Sequence, residues 1–208
     1  MDGSEEHKDY PGDIGRRERK RRQQLDHIAD TAWRLFETEG FETVTMERIA
    51  VAADVSKVTL YRHFPAKEAL LAHVFHRDLQ QGWPALRPAL AEAAPGRTRL
   101  ARFLELQAQW CERHRFFLLP YTRYRMSDAR LPAEGRERSG MEPIVTELIA
   151  QGQAAGEFRD DLPAELLAVH FRFAHLAAML RCLMDDKLSM ADELAQMLEL
   201  FCNGVGVR

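Results

Sequence analysis

The chain has 208 residues, 46% of them hydrophobic and 29% charged, with a formal net charge of -3. Such a composition is ordinary for a soluble globular protein, and the length suffices to bury a core without disulfide or metal staples. It excludes a protein that coats nucleic acid through bulk positive charge, but not one with a local basic footprint.

The first fifteen residues hold Gly3, Pro11, Gly12 and Gly15 and few apolar side chains. With the acids Asp2, Glu5, Glu6, Asp9 and Asp13 they read as no secretory leader, and a disordered arm over 1–18 is expected. The run Arg16–Arg22 then carries six basic residues and one acid. It suits either an arm that tracks phosphate or enters the minor groove, or a solvated helix start.

Helical spacing of Leu25, Ile28, Ala32, Leu35 and Phe36 predicts a helix over Arg19–Glu39, stopped by Gly40. Two short helices follow, Thr45–Ala53 and Lys57–Phe64, the second ended by Pro65. A fourth is predicted from Lys67 to about Trp83, with Pro84, Pro88, Pro95 and Gly96 marking a linker. The rest predicts helices near Thr98–His114, Phe116–Met126, Glu137–Ala155, Ala164–Asp185 and Ala191–Asn203, with kinks or later starts at Pro120 and Pro143. No alternating β pattern occurs. The expected fold is all-α with about nine helices: a helix-turn-helix domain over 19–66 and a helical bundle over 67–208. No apolar run approaches the ~20 residues of a membrane helix, and the chain reads as cytoplasmic.

The most informative stretch is residues 28–71. Thr45 and Ser56 suit the N-caps of two short helices. The small residues Ala50, Ala53 and Val55 allow close crossing, while Ile49, Val55, Leu60 and Phe64 are expected to face inward against Leu35, Phe36, Phe41 and Leu71. Two short helices joined by a tight turn over a small core form a helix-turn-helix. The outward face of the second carries Lys57, Thr59, Tyr61, Arg62 and His63, a set of donors for phosphate oxygens and base edges. Arg48 suits a solvated helix face or a phosphate contact.

This stretch resembles the tetracycline-repressor (TetR) family, in Gly40-Phe41, Thr45, Ile49-Ala50, Ala53, Val55-Ser56, Thr59-Leu60-Tyr61, His63-Phe64, Lys67-Glu68 and Leu70-Leu71. The resemblance covers about residues 19–75. It implies phosphate contacts from Thr45, Tyr61, His63 and Lys67, contacts to bases or phosphates from Lys57 and Thr59, and a cap or phosphate contact from Ser56. It implies a homodimer built through the last two helices, a palindromic double-stranded operator and a small-molecule ligand. The expected action is repression, with activation as the alternative. Two positions depart from the family pattern: Asp54 stands where glycine is usual in the turn, and Ala66 where a capping serine or asparagine is usual. Aspartate tolerates left-handed backbone better than most residues, so the turn is expected to survive.

In the C-terminal region the aromatic residues mixed with polar ones suit a ligand site. The candidates are Trp83, Phe103, Gln107, Trp110, Tyr121, His170 and Phe173, each of which also suits plain core. His73 and His76 lie one turn apart with Asp78 as the sole nearby acidic partner, so no metal is expected, and no cofactor is implied. Cys111, Cys182 and Cys202 read as reduced thiols. None of the phosphate-loop, nucleophile-elbow or zinc-protease motifs is present, so no enzyme is expected. A helical scaffold with a purely structural helix-turn-helix is the remaining alternative.

Overall fold

The computed structural model describes residues 11–127 and 141–204. Among them are nine helices and no strand. They are α1 (Pro11–Glu39), α2 (Met46–Ala52), α3 (Lys57–His63), α4 (Lys67–Ala91), α5 (Arg97–Arg113), α6 (Arg115–Ser127), α7 (Met141–Ala154), α8 (Ala164–Met184) and α9 (Met190–Asn203). The chain divides into two compact units, one ending at Val74 and one beginning at Phe75. The first turns of α4 thus belong with the helix-turn-helix, beyond the expected boundary at 66.

In the N-terminal unit Ile28, Ala29, Ala32 and Phe36 of α1 close over Ile49, Leu60, Leu70 and Leu71, all buried. Gly40 ends α1 at φ +85, its N–H bonded to the Phe36 carbonyl at 3.1 Å, a left-handed stop that suits a residue without Cβ. α1 begins well before Arg19 and takes in the basic run, which corrects the expected disorder over 11–18; the rest of that arm, residues 1–10, lies outside the described residues. Proline fits a first helical position, and Arg, Lys, Glu and Gln are strong helix formers, so this segment propagates a helix despite its charge.

In the C-terminal unit α8 packs against α7 and α9, α9 against α5, and α6 against α8 and α5. The buried residues of α8, Ala164, Ala168, Phe171, His175, Ala178, Met179 and Cys182, form one inward stripe. α8 is long and apolar enough to cross a membrane by length and composition, contrary to the sequence expectation. It nevertheless carries Glu165, Arg172 and Arg181. Gly152 lets α7 approach the α4–α5 turn: a Cβ there would lie 2.9 Å from the Gly96 Cα and would strike the Phe158 ring.

The predicted linker at Pro84 and Pro88 is absent, and α4 runs through both prolines to Ala91. The two lie four residues apart and are exposed, so water can serve the carbonyls their missing N–H groups leave free. α6 likewise runs through Pro120. Pro143 falls in the first turn of α7, where its missing N–H would have had no helical partner. Residues 137–140, the expected start of that helix, lie outside the described residues.

Candidate nucleic-acid interface

Local chemistry fixes how α2 and α3 meet. The Thr45 hydroxyl oxygen accepts from the Arg48 N–H at 3.1 Å, and the Ser56 hydroxyl oxygen accepts from the Thr59 N–H at 3.1 Å, so both expected caps form. Each satisfies a donor that a helix N-terminus otherwise leaves open. Between the helices the Val55 N–H reaches the Ala50 carbonyl at 3.0 Å. Asp54 adopts φ +53, the one left-handed non-glycine among the described residues.

The turn leaves Lys57, Tyr61 and Arg62 exposed along α3, with Thr59 and His63 half-buried beside them. Val58, 78% exposed in the middle of this face, was missed by the sequence reading. Its position directly after Lys57 was the available signal, and an apolar side chain there suits a thymine methyl. Leu60 and Phe64 are core, as expected.

Several cations of this face already hold carboxylates. Lys57 pairs with Glu47 at 3.4 Å and Arg48 with Glu39 at 2.9 Å. The Glu47 carboxyl is held below its usual range by its own backbone N–H, then by Lys57, with a smaller contribution from the Tyr61 hydroxyl. All these pairs are solvent-exposed and therefore weak, so a phosphate can displace them. His63 is held below the usual histidine range, first by burial and then by Arg62 and Arg21. The charge of Arg21, on the basic stretch of α1, is thus felt at the end of α3.

Lys67 is placed differently. Its ammonium donates to the carbonyls of Phe41 at 2.6 Å, Glu42 at 3.2 Å and Val44 at 3.4 Å, and lies 4.4 Å from the Phe41 ring centre. It fastens the segment leading to Thr45.

Residues 28–74 match the family model of bacterial regulatory proteins of the tetR family. That segment of the chain is of the tetR-family type. An HTH-type transcriptional regulator of Staphylococcus aureus (strain USA300) is 41% identical over 61 residues, which are 29% of this chain and 31% of that protein. The chain thus spans about a third of the length of the curated relatives it matches. The likeness to solved structures extends further. Thermus thermophilus FadR, a TetR-family transcriptional repressor in complex with lauroyl-CoA, is 26% identical with a TM-score of 0.77, over 88% of this chain and 96% of that one. Bacillus subtilis FadR in complex with stearoyl-CoA shares the fold at 20% identity and a TM-score of 0.64, over 86% and 98%.

The ligand candidates of the C-terminal unit fall into separate places. Trp110 and Tyr121 meet around Phe75, with ring centres 4.8 and 5.2 Å away. His114 stacks on Trp110 at 4.4 Å, and the Tyr121 hydroxyl bonds His76 at 3.1 Å. Phe75 and His114 were not among the expected residues, because their convergence joins α4, α5 and α6 across long sequence distances. Phe103 and Gln107 are buried on α5. Trp83 lines a cleft of about 200 Å³ between α4 and α7 with Pro143, Ile144 and Glu147. His170 and Phe173 point outward instead, Phe173 being 59% exposed, on the stripe that also carries Leu166. The pair His73 and His76 is divided: His73 bonds Asp26 at 2.7 Å, and His76 bonds Tyr121. The three cysteines are free, and burial pushes the Cys111 thiol up to about 12.

Proposed function

We propose that the chain is a sequence-specific transcription regulator of the cytoplasm, a homodimer that binds a palindromic operator as a repressor and leaves it when a small molecule enters the C-terminal unit. The observation that carries this reading is the capped turn that holds Lys57, Tyr61 and Arg62 outward on α3, inside the segment matching a family of bacterial regulatory proteins. In it Thr45, Arg48, Ser56, Lys57, Thr59, Tyr61, Arg62 and His63 supply the DNA contacts, and Lys67 fixes the turn that presents Thr45. No catalytic step enters the reading.

Exposed apolar side chains on α8 and α9 support dimerisation. Leu166, Phe173, Met184 and Leu200 are exposed there, an apolar surface that a second copy would cover. A two-fold dimer presents two recognition helices to two half-sites of opposite orientation. For the ligand, an acyl-CoA is supported by the likeness to a repressor bound to lauroyl-CoA. It releases DNA only through preference for the non-binding arrangement, and about 1–3 kcal/mol of coupling gives a useful switch.

The exposed cations of Arg16–Arg22 extend the DNA footprint. Like charges at helical spacing near the positive end of a helix oppose folding, and a phosphate backbone alongside offsets that. Replacing Arg16, Arg17, Arg19 and Lys20 by glutamine should flatten the log-log salt dependence by about 0.9 per lost phosphate contact.

The reading is tested by fluorescence anisotropy with pools of palindromic duplexes at two salt concentrations, against nonspecific competitor. One palindrome selected at about 10⁻⁸ M or tighter, and about 10³ over competitor, is the expected result. Weak binding to every duplex, abolished by modest salt, would reject it.

A further inference from the structure

Among the described residues two buried side-chain polar atoms lack any hydrogen-bond partner, Thr122 Oγ1 and His175 Nε2. Both belong to the C-terminal unit, on α6 and α8, and those two helices pack against one another. Each departs from what its surroundings favour. A helical threonine commonly donates to the carbonyl one turn back, and Thr122 does not. His175 sits on the inward stripe of α8 between Phe171 and Met179, 5% exposed, where an apolar side chain would fill the space without an orphaned nitrogen. Buried polar groups without partners are rare and oppose folding, so a pair of them on packed helices calls for a partner from outside the chain.

The surroundings limit what that partner is. Leu118 of α6 and Phe171, Ala178 and Met179 of α8 are all buried, so its body is apolar. Among the described residues no lysine or arginine is buried, and Glu193 is the one buried acid. A carboxylate drawn into this interior would find no buried counter-charge. Burial keeps His175 neutral at pH 7, with one ring nitrogen a donor and the other an acceptor. A threonine hydroxyl and a neutral imidazole suit an uncharged carbonyl oxygen.

We infer that Thr122 and His175 form the polar anchor of an interior ligand site, donating hydrogen bonds to the carbonyl oxygen of a neutral acyl thioester or ester and discriminating against the free fatty acid. This rests on the proposed reading of the C-terminal unit as the binder of an acyl-CoA and adds to it the atoms that recognise the acyl group. An acyl chain with its thioester carbonyl meets both requirements, an apolar body and one uncharged acceptor.

The test is calorimetric titration of the full chain with lauroyl-CoA, laurate and coenzyme A, with melting curves of the free protein and of His175→Leu and Thr122→Val. Wild type should bind lauroyl-CoA at least about tenfold more tightly than laurate. Each variant should melt at or above the wild-type temperature, because an orphaned polar atom is gone, yet bind lauroyl-CoA about five- to tenfold more weakly, the loss of one neutral hydrogen bond. If His175→Leu does not fold, Thr122→Val, nearly the same shape, carries the test alone. Variants that bind lauroyl-CoA as wild type does would overturn the anchor and leave the ligand class standing. Laurate bound as tightly as lauroyl-CoA would overturn the neutral-carbonyl assignment. Wild type binding none of the three would overturn the acyl-CoA reading and the anchor with it, while DNA binding, measured separately, is untouched by that result.

Discussion

The two units keep their chemistry in opposite places. In the N-terminal unit the groups that matter are at the surface: Lys57, Tyr61 and Arg62 face solvent while the interior is apolar and its caps are satisfied. In the C-terminal unit the unsatisfied groups are inside, at Thr122 and His175, and large apolar side chains such as Leu166, Phe173 and Met184 are exposed. A surface made to meet a charged polymer can be tuned without disturbing the core, whereas a site within a bundle trades packing for recognition. The units should therefore respond differently to the same kind of perturbation.

The largest expected effect is on DNA. Replacing both Lys57 and Tyr61 by alanine removes exposed side chains, so the melting temperature should stay put while specific DNA affinity falls by about 3 kcal/mol or more, at about 1–3 kcal/mol per contact. A drop in melting temperature comparable to the loss of binding would erase the contrast between the units.

Acid should expose the interior of the other unit. Burial alone holds the His175 imidazole down to about 4 from 6.5. Between these values the unfolded chain binds a proton that the folded chain does not. Stability is thus fully present above pH 6.5 and falls as pH drops toward 4, by about 3 kcal/mol in all. Urea melts at pH 7, 5.5 and 4.5 should show this decline, and His175→Leu should flatten it. An equal decline in the variant would place the acid sensitivity elsewhere.

Lys67 gives an intermediate effect that sharpens the boundary. Lys67→Met removes a cation from three carbonyls and should destabilise the N-terminal unit by about 2 kcal/mol, within the range for hydrogen bonds to charged groups. DNA affinity per folded molecule should change little. A large loss of affinity at unchanged stability would return Lys67 to the phosphate contacts. Smallest of all, Asp54→Asn keeps a side chain suited to φ +53 and removes a negative charge beside the recognition helix. It should change stability by less than about 0.5 kcal/mol and tighten DNA binding a fewfold at low salt.

The helix-turn-helix was legible in the sequence because its determinants are local. Caps, a tight turn and small crossing residues act within a few positions of one another, and Thr45, Ser56, Ala50 and Asp54 each do in the structure what their chemistry suggests. Lys67 was not legible in this sense, since three carbonyls from 41–44 converge on it only after folding. α8 misled for a related reason. Its ligand candidates His170 and Phe173 face outward, and the stripe that packs is the one with Ala168, Phe171, His175, Ala178 and Cys182. Small residues let α7 and α9 approach, and hydrophobicity alone ranks them below leucine. The prolines of α4 were read as breakers because proline opposes helix in most contexts, but Pro84 and Pro88 share an exposed face.

Two lysines, Lys57 on α3 and Lys67 at the start of α4, supply a built-in chemical reporter. The chain's lysines are Lys8, Lys20, Lys57, Lys67 and Lys187. The Lys57 side chain is 61% exposed and that of Lys67 only 20%, its amine engaged by carbonyls. An acylating reagent that attacks free amines should therefore modify Lys57 quickly and Lys67 slowly, at rates read by peptide mass spectrometry. Adding operator duplex should slow the first reaction without changing the second, so one lysine marks occupancy of the DNA face while the other reports only whether the domain stays folded.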